Sequence, residues 1–157
     1  MGAEGGNVSE HRATISWARG GGAFDYDSYS RDHTWSFEGG VRVPASATPE
    51  FLGNASHVDP EEAFVASLSS CHMLTFLALA ARKRLVVDGY EDAAVGLMEK
   101  NDEGRLAITR VVLNPVVTFA DPVAVTDEIL AKLHRQSHEH CFIANSVKTE
   151  VEVASRG

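Results

Sequence analysis

Between Ala63 and Ala81 the chain carries no Asp, Glu, Lys or Arg, and this run decides most of what the sequence can become. It opens on helix-starting chemistry: Asp59 suits an N-cap, Pro60 the first helical position, and Glu62 stands three residues after the cap. Arg82, Lys83 and Arg84 complement the negative end of the helix dipole. The spacing predicts a helix from Asp59 through about Arg84. Phe64, Leu68, Cys71, Leu74, Thr75 and Ala78 share one stripe, while Val65, Met73, Phe76, Leu77 and Leu79 fill the other sides. A helix apolar nearly all round is a buried, central one. Its length approaches the roughly 18–20 residues of a membrane span. Ser67, Ser69, Ser70, His72 and Thr75 punctuate it, however, so a core helix is expected and a span is not.

The flanking segments alternate with period two. On His11–Arg19, Ala13, Ile15 and Trp17 fall on one face and Arg12, Thr14 and Ser16 on the other, which predicts a strand. Tyr29–Phe37 and Val41–Val43, separated by Glu38-Gly39-Gly40, extend it into a hairpin or three-stranded meander. Pro44–Val58 is expected to be a loop, and residues 1–9 to fray. Beyond the helix, Leu85–Met98 is strand-like with a turn near Asp88-Gly89, and Asn101-Asp102-Glu103-Gly104 makes a hairpin turn. Leu106–Phe119 is a strand interrupted at Asn114-Pro115. Thr126 caps a second helix that ends near His138, and Ser146–Val153 is the last strand. Strands, helix, strands, helix, strand is an α+β order, expected as antiparallel sheets around the central helix within one domain spanning 1–157.

A net charge of −8, with 14 Lys and Arg against 22 Asp and Glu, gives no basic footprint for nucleic acid. The glycines lack phosphate-loop spacing. No charged segment followed by an apolar stretch opens the chain, so no secretory leader is expected and the cytosol is the expected compartment. There, two cysteines are more often catalytic or metal-binding than structural.

Those cysteines, Cys71 and Cys141, stand 70 positions apart. Cys71 on a core helix reads most simply as a small buried hydrophobe. Ser69, Ser70 and His72 beside it need partners and signal a polar network, a cavity or an interface. Cys141 ends His138-Glu139-His140-Cys141 just past a helix, where a thiol is more accessible than in a core, and if it starts another helical turn the local dipole would favour its thiolate. Together they suit a peroxidatic and resolving pair, in which a sulfenic acid condenses with the second thiol. A metal reading draws on Cys71, His72, His138, His140 and Cys141, but adjacent residues rarely share one ion, and no Cys-x-x-Cys is present. An inert, ligand-binding module is the third reading. Glu61 and Glu62 complement the helix N-terminus. Arg31 and Arg19 bracket the aromatic, Gly-rich N-terminal loop, and either guanidinium would keep its charge beside a thiolate.

Asp59-Pro60-Glu61-Glu62-Ala63-Phe64, followed by Ala66-Ser67-Leu68-Ser69-Ser70-Cys71, resembles the central helix of the OsmC/Ohr family. Cys141-Phe142-Ile143-Ala144-Asn145-Ser146-Val147 is similar to that family's second-cysteine motif. The resemblance implies an OsmC-like fold, an intertwined homodimer with sites at its interface, and reduction of organic hydroperoxides by an external dithiol without a cofactor. It implies that Cys71 is peroxidatic, Cys141 resolving and Glu61 the active-site glutamate. Arg31 is the best match to the family's arginine and Arg19 the second. Phe142 stands where the family often has proline, and His72 after Cys71 departs from the Ohr pattern, so an OsmC-like branch is expected. Glu61 and Cys71, ten residues apart on one helix, would be about 15 Å apart along its axis. Glu61 is therefore expected to serve the partner's thiol.

Overall fold

The computed structural model describes residues 6–154. The expected fraying of residues 1–5 lies outside the described residues, while Gly6–Ser9 are exposed and without regular structure. The chain forms two compact units, one ending at Pro60 and the other beginning at Glu61.

In the first unit, β1 (Ala13–Ser16), β2 (His33–Phe37) and β3 (Arg42–Ala45) form an antiparallel meander in the order β1-β2-β3. Ile15 pairs with Trp35, and Trp35 with Val43. The expected pairing is present, but β1 is shorter than His11–Arg19 and all four of its residues are exposed, Ile15 at 59 %. Burial begins where the sheet ends. Ala45 and Ser46 are fully buried, and the Ser46 N–H donates to the Val58 carbonyl at 2.9 Å. The Ser46 hydroxyl accepts from the Asn54 N–H at 3.0 Å, which ties down the loop.

The second unit is built on α1 (Pro60–Arg82). Its extent matches the capping and dipole signals. It is long and apolar enough to cross a membrane by length and composition alone. Here, however, it is the core helix of its unit, packed at both ends. Toward its start, Leu68 joins Val111 and Leu113 with Phe64 and Val65 around them. Toward its end, Phe76 and Ala80 join Leu133, with Tyr90 and Phe119 packed against them. The burial is one-sided, which corrects the expectation of a helix buried all round. The buried residues are Leu68, His72, Phe76 and Ala80, a stripe of period four, whereas Leu74 is 61 % exposed and Ala78 is exposed as well. The stripe is rotated from the expected one because His72, taken there for a polar outsider, finds an imidazole partner inside.

Around α1 lie β4 (Val87–Asp92) paired with β7 (Pro115–Phe119), and a second sheet of β5 (Val95–Lys100), β6 (Leu106–Leu113) and β8 (Glu150–Val153). Asp88-Gly89 is a bulge between Val87 and Gly89 inside β4, not the expected turn. Asn101–Gly104 is the expected turn: the Asn101 side-chain oxygen accepts from the Glu103 and Arg105 N–H groups, each at 3.0 Å, and Gly104 takes φ 77. The break at Asn114 sends β6 and β7 into different sheets. Helix α2 (Asp127–His140) starts where Thr126 accepts from the Ile129 N–H at 3.2 Å. β8 then pairs with β6 in parallel, so the antiparallel expectation fails for this one ladder. At Gly96 on β5, an added Cβ would lie 2.5 Å from the Val65 Cγ2, so α1 approaches this strand as closely as glycine permits.

Candidate active site

The two apolar clusters on α1 meet at a polar belt. The Ser69 hydroxyl donates to Asp92 Oδ2, and Asp92 Oδ1 accepts the Asn114 N–H at 2.6 Å. One turn on, His72 Nε2 and His134 Nδ1 are 3.0 Å apart in stacked rings. His72 is 1 % exposed, and its Nδ1 has no hydrogen-bond partner among the described residues. A single proton on Nε2, donated to His134, meets both facts, because an unpaired ring acceptor costs less than an unpaired N–H. Burial, then the charges of His134 and His138, lower the His72 pKa from 6.5 to about 4. Burial also lowers His134, against the opposing pull of Asp92. Burial raises the Tyr90 phenol, and Asp92 pushes the same way.

Cys71 occupies the helical position before His72 and is half-buried, while Cys141 caps α2 at 1 % exposure. Both are free thiols, and Cys71 is near enough to Cys141 to act on its pKa. Two folding features deliver this proximity across 70 residues. Thr126 starts α2 at the register that ends it on Cys141. The turn after it then packs Ile143 and Ala144 against the Leu68 cluster on α1. That turn folds back on the sulfur, whose Sγ accepts the Ala144 N–H at 3.5 Å. Burial raises the Cys141 thiol most; the Ala144 N–H opposes this, and Cys71 adds to it.

The remaining expected residues lie on other segments of the chain. Glu61 is half-buried in the first turn of α1, on the same unbroken helix as Cys71. Arg31 lies in the first unit, just ahead of β2. Its guanidinium stacks on the Tyr29 ring at 3.6 Å and donates to the Tyr29 and Tyr26 carbonyls. Arg19 donates to the Gly22 carbonyl in an exposed turn. His138 and His140 are exposed. Among the described residues no group of three or more His, Cys, Asp or Glu side chains gathers as a metal site would require.

A groove of about 560 Å³ is lined by Leu130, Ala131, His134, His138, Val151 and Val153 among others. No residue of α1 and neither cysteine lines it. The His72–His134 pair and the thiol-facing turn were missed from sequence. An isolated His inside an apolar helix was the one available signal of the first.

An α+β unit built on one long helix, with a thiol pair joining that helix to the end of the next, defines a class of thiol-bearing proteins. The family model described as OsmC-like protein matches residues 53–156, and the chain belongs to that family. An OsmC-like protein of unknown function from Vibrio cholerae O1 biovar eltor is 49 % identical, with a TM-score of 0.90 over 94 % of this chain and 99 % of that one. Two further solved structures share the fold at lower identity. An organic hydroperoxide resistance protein from Elizabethkingia anophelis has 18 % identity and a TM-score of 0.70, over 94 % of both chains. The organic hydroperoxide resistance protein OhrB of Bacillus subtilis has 17 % identity and a TM-score of 0.61, over 93 % of this chain and 98 % of that one. No curated protein matches the chain.

Proposed function

We propose that the protein is a thiol peroxidase that reduces organic hydroperoxides to alcohols in the cytosol, as a homodimer recharged by an external dithiol. The observation that carries this reading is that two free thiols, Cys71 on α1 and Cys141 at the end of α2, lie close enough for the first to raise the pKa of the second. A disulfide between them would resolve a sulfenic acid before further oxidation. The names of the two hydroperoxide resistance proteins point the same way.

In the proposed cycle the Cys71 thiolate attacks the distal peroxide oxygen. The S–O bond forms, the O–O bond breaks, and the alkoxide takes a proton from solvent to become the alcohol. The Cys141 sulfur then attacks the Cys71 sulfur. The S–S bond forms, the S–O bond breaks, and the thiol proton leaves with the hydroxyl as water. A dithiol reopens the disulfide by exchange. Arg31 is the proposed thiolate-stabilising cation and Glu61 its orienting carboxylate, contributed to the other subunit's Cys71 because one continuous helix separates Glu61 from its own. The exposed flank of α1 around Leu74 and Ala78 supports a second copy.

Consumption of cumene hydroperoxide with a dithiol tests the reading. Cys71→Ser is expected to fall to the uncatalysed background. Cys141→Ser should reduce about one equivalent of peroxide and then stall, and Arg31→Ala should lower kcat/KM. Mixed Glu61→Gln and Cys71→Ser subunits should regain activity that neither parent has. Full turnover by Cys71→Ser would overturn the reading.

A further inference from the structure

We propose that the groove between α2 and β8 binds a small apolar monocarboxylate, its anionic head on His134, Arg135 and His138 and its apolar body on Leu130, Val151 and Val153. Neither thiol lines this groove, so the inference stands whether or not the protein reduces peroxides.

The volume of about 560 Å³ lies within the range of about 300–1,000 Å³ that small-molecule sites occupy. Its walls differ in kind. Val151 and Val153 on β8 and Leu130 on α2 are half-buried and apolar. The later part of α2 turns polar, and His134 and His138, four residues apart, share one helix face.

His134 is the fixed element of the site. Its ring stacks on His72 with 10° between the planes, and its centroid lies 4.6 Å from that of the fully buried Phe76. Its Nδ1 lies 3.0 Å from His72 Nε2 and accepts that proton. A neutral imidazole with Nδ1 accepting carries its own proton on Nε2. Among the described residues nothing accepts that N–H, and Nε2 is not among the buried polar atoms left without a partner. An oriented donor on the groove wall is therefore left for a ligand oxygen.

Arg135 adds a permanent charge, and neither it nor His138 forms an ion pair among the described residues. Asp127 lines the other end, seven residues and about 10 Å along the helix axis from His134. Its carboxylate repels a second anionic group, so the ligand carries one charge and places it at the His134 end. The negative pole of α2 fades within its last turn, and His134 lies outside that turn. In a chain of net charge −8, this complementarity is local to the groove.

Calorimetric titration of the full chain with octanoate, octanamide and acetate separates the parts of the site. Octanoate is expected to saturate at one per chain. Octanamide keeps the body without the charge, and acetate the charge without the body. Each should bind at least about tenfold more weakly. In an imidazole nitrogen–proton correlation spectrum, octanoate should shift the His134 Nε2–H signal most. Arg135→Glu should weaken octanoate by roughly tenfold. Ala131→Phe, at an exposed position on α2 that lines the groove, fills it and should abolish saturable binding. Should that variant fail to fold, Arg135→Glu at an exposed position decides the same question. Equal affinity for octanoate and octanamide, or octanoate binding unchanged in both variants, would overturn the inference. So would a chain that binds no octanoate and whose dimer dissociates in Ala131→Phe, because a second copy would then cover the groove.

Discussion

The β1–β3 meander and the unit around α1 both follow strand alternation, yet the rule has different consequences in each. In the meander, Ile15 pairs with Trp35 in the register that alternation predicts, but Ile15 remains 59 % and Trp17 43 % exposed. In the second unit, Val111 and Leu113 alternate along β6 in the same way and are fully buried beneath Leu68. Alternation therefore specifies which residues share a face, and a long apolar partner decides whether that face leaves water. Only the second unit contains such a partner in α1.

This comparison can be broken at three points. The largest effect is expected at Phe76, fully buried between Tyr90, Phe119 and His134. Phe76→Ala should cost about 3–5 kcal/mol, seen as a lower midpoint in urea unfolding. A change under 1 kcal/mol would mean that α1 does not anchor this core.

An intermediate effect comes from acid. His72 is neutral in both folded and unfolded chains above its ordinary value of 6.5, so its contribution is fully present there. As pH falls from 6.5 toward about 4, the unfolded chain takes the proton and the folded one refuses it. Stability then declines by about 1.4 kcal/mol per pH unit from this group and levels off below the folded value. His134, lowered in the same direction, adds to the slope. Urea midpoints between pH 7 and 4.5 measure it, and His72→Leu should flatten it.

The smallest effect on folding is expected in the meander. Ile15→Ser should change unfolding stability by less than about 0.5 kcal/mol, as for other exposed sites. In the proposed homodimer the same change should raise the dissociation constant seen by sedimentation. An unchanged constant would mean that a second copy does not cover Ile15.

What was legible in the sequence was the local chemistry. The limits of α1, the Asn101–Gly104 turn and the Thr126 cap were readable because each depends on hydrogen bonds within four residues. Asp88-Gly89 was misread because the same dipeptide suits a turn and a bulge, and the choice rests with β7 across the sheet. The burial stripe of α1 was rotated because the partner of His72 lies 62 residues away. The parallel β6–β8 pairing is equally non-local. At the site, the residue types Cys71 and Cys141 were visible, but their proximity depends on where α2 ends and how the next turn docks on Leu68.

The parallel ladder between β6 and β8 imposes an order on assembly. A parallel partner requires a long crossover, and here that crossover contains β7, α2 and the turn that presents Cys141. Contacts closing so large a loop form late. Cys141 lies within that crossover, so the crosslink it would form spans the same long loop.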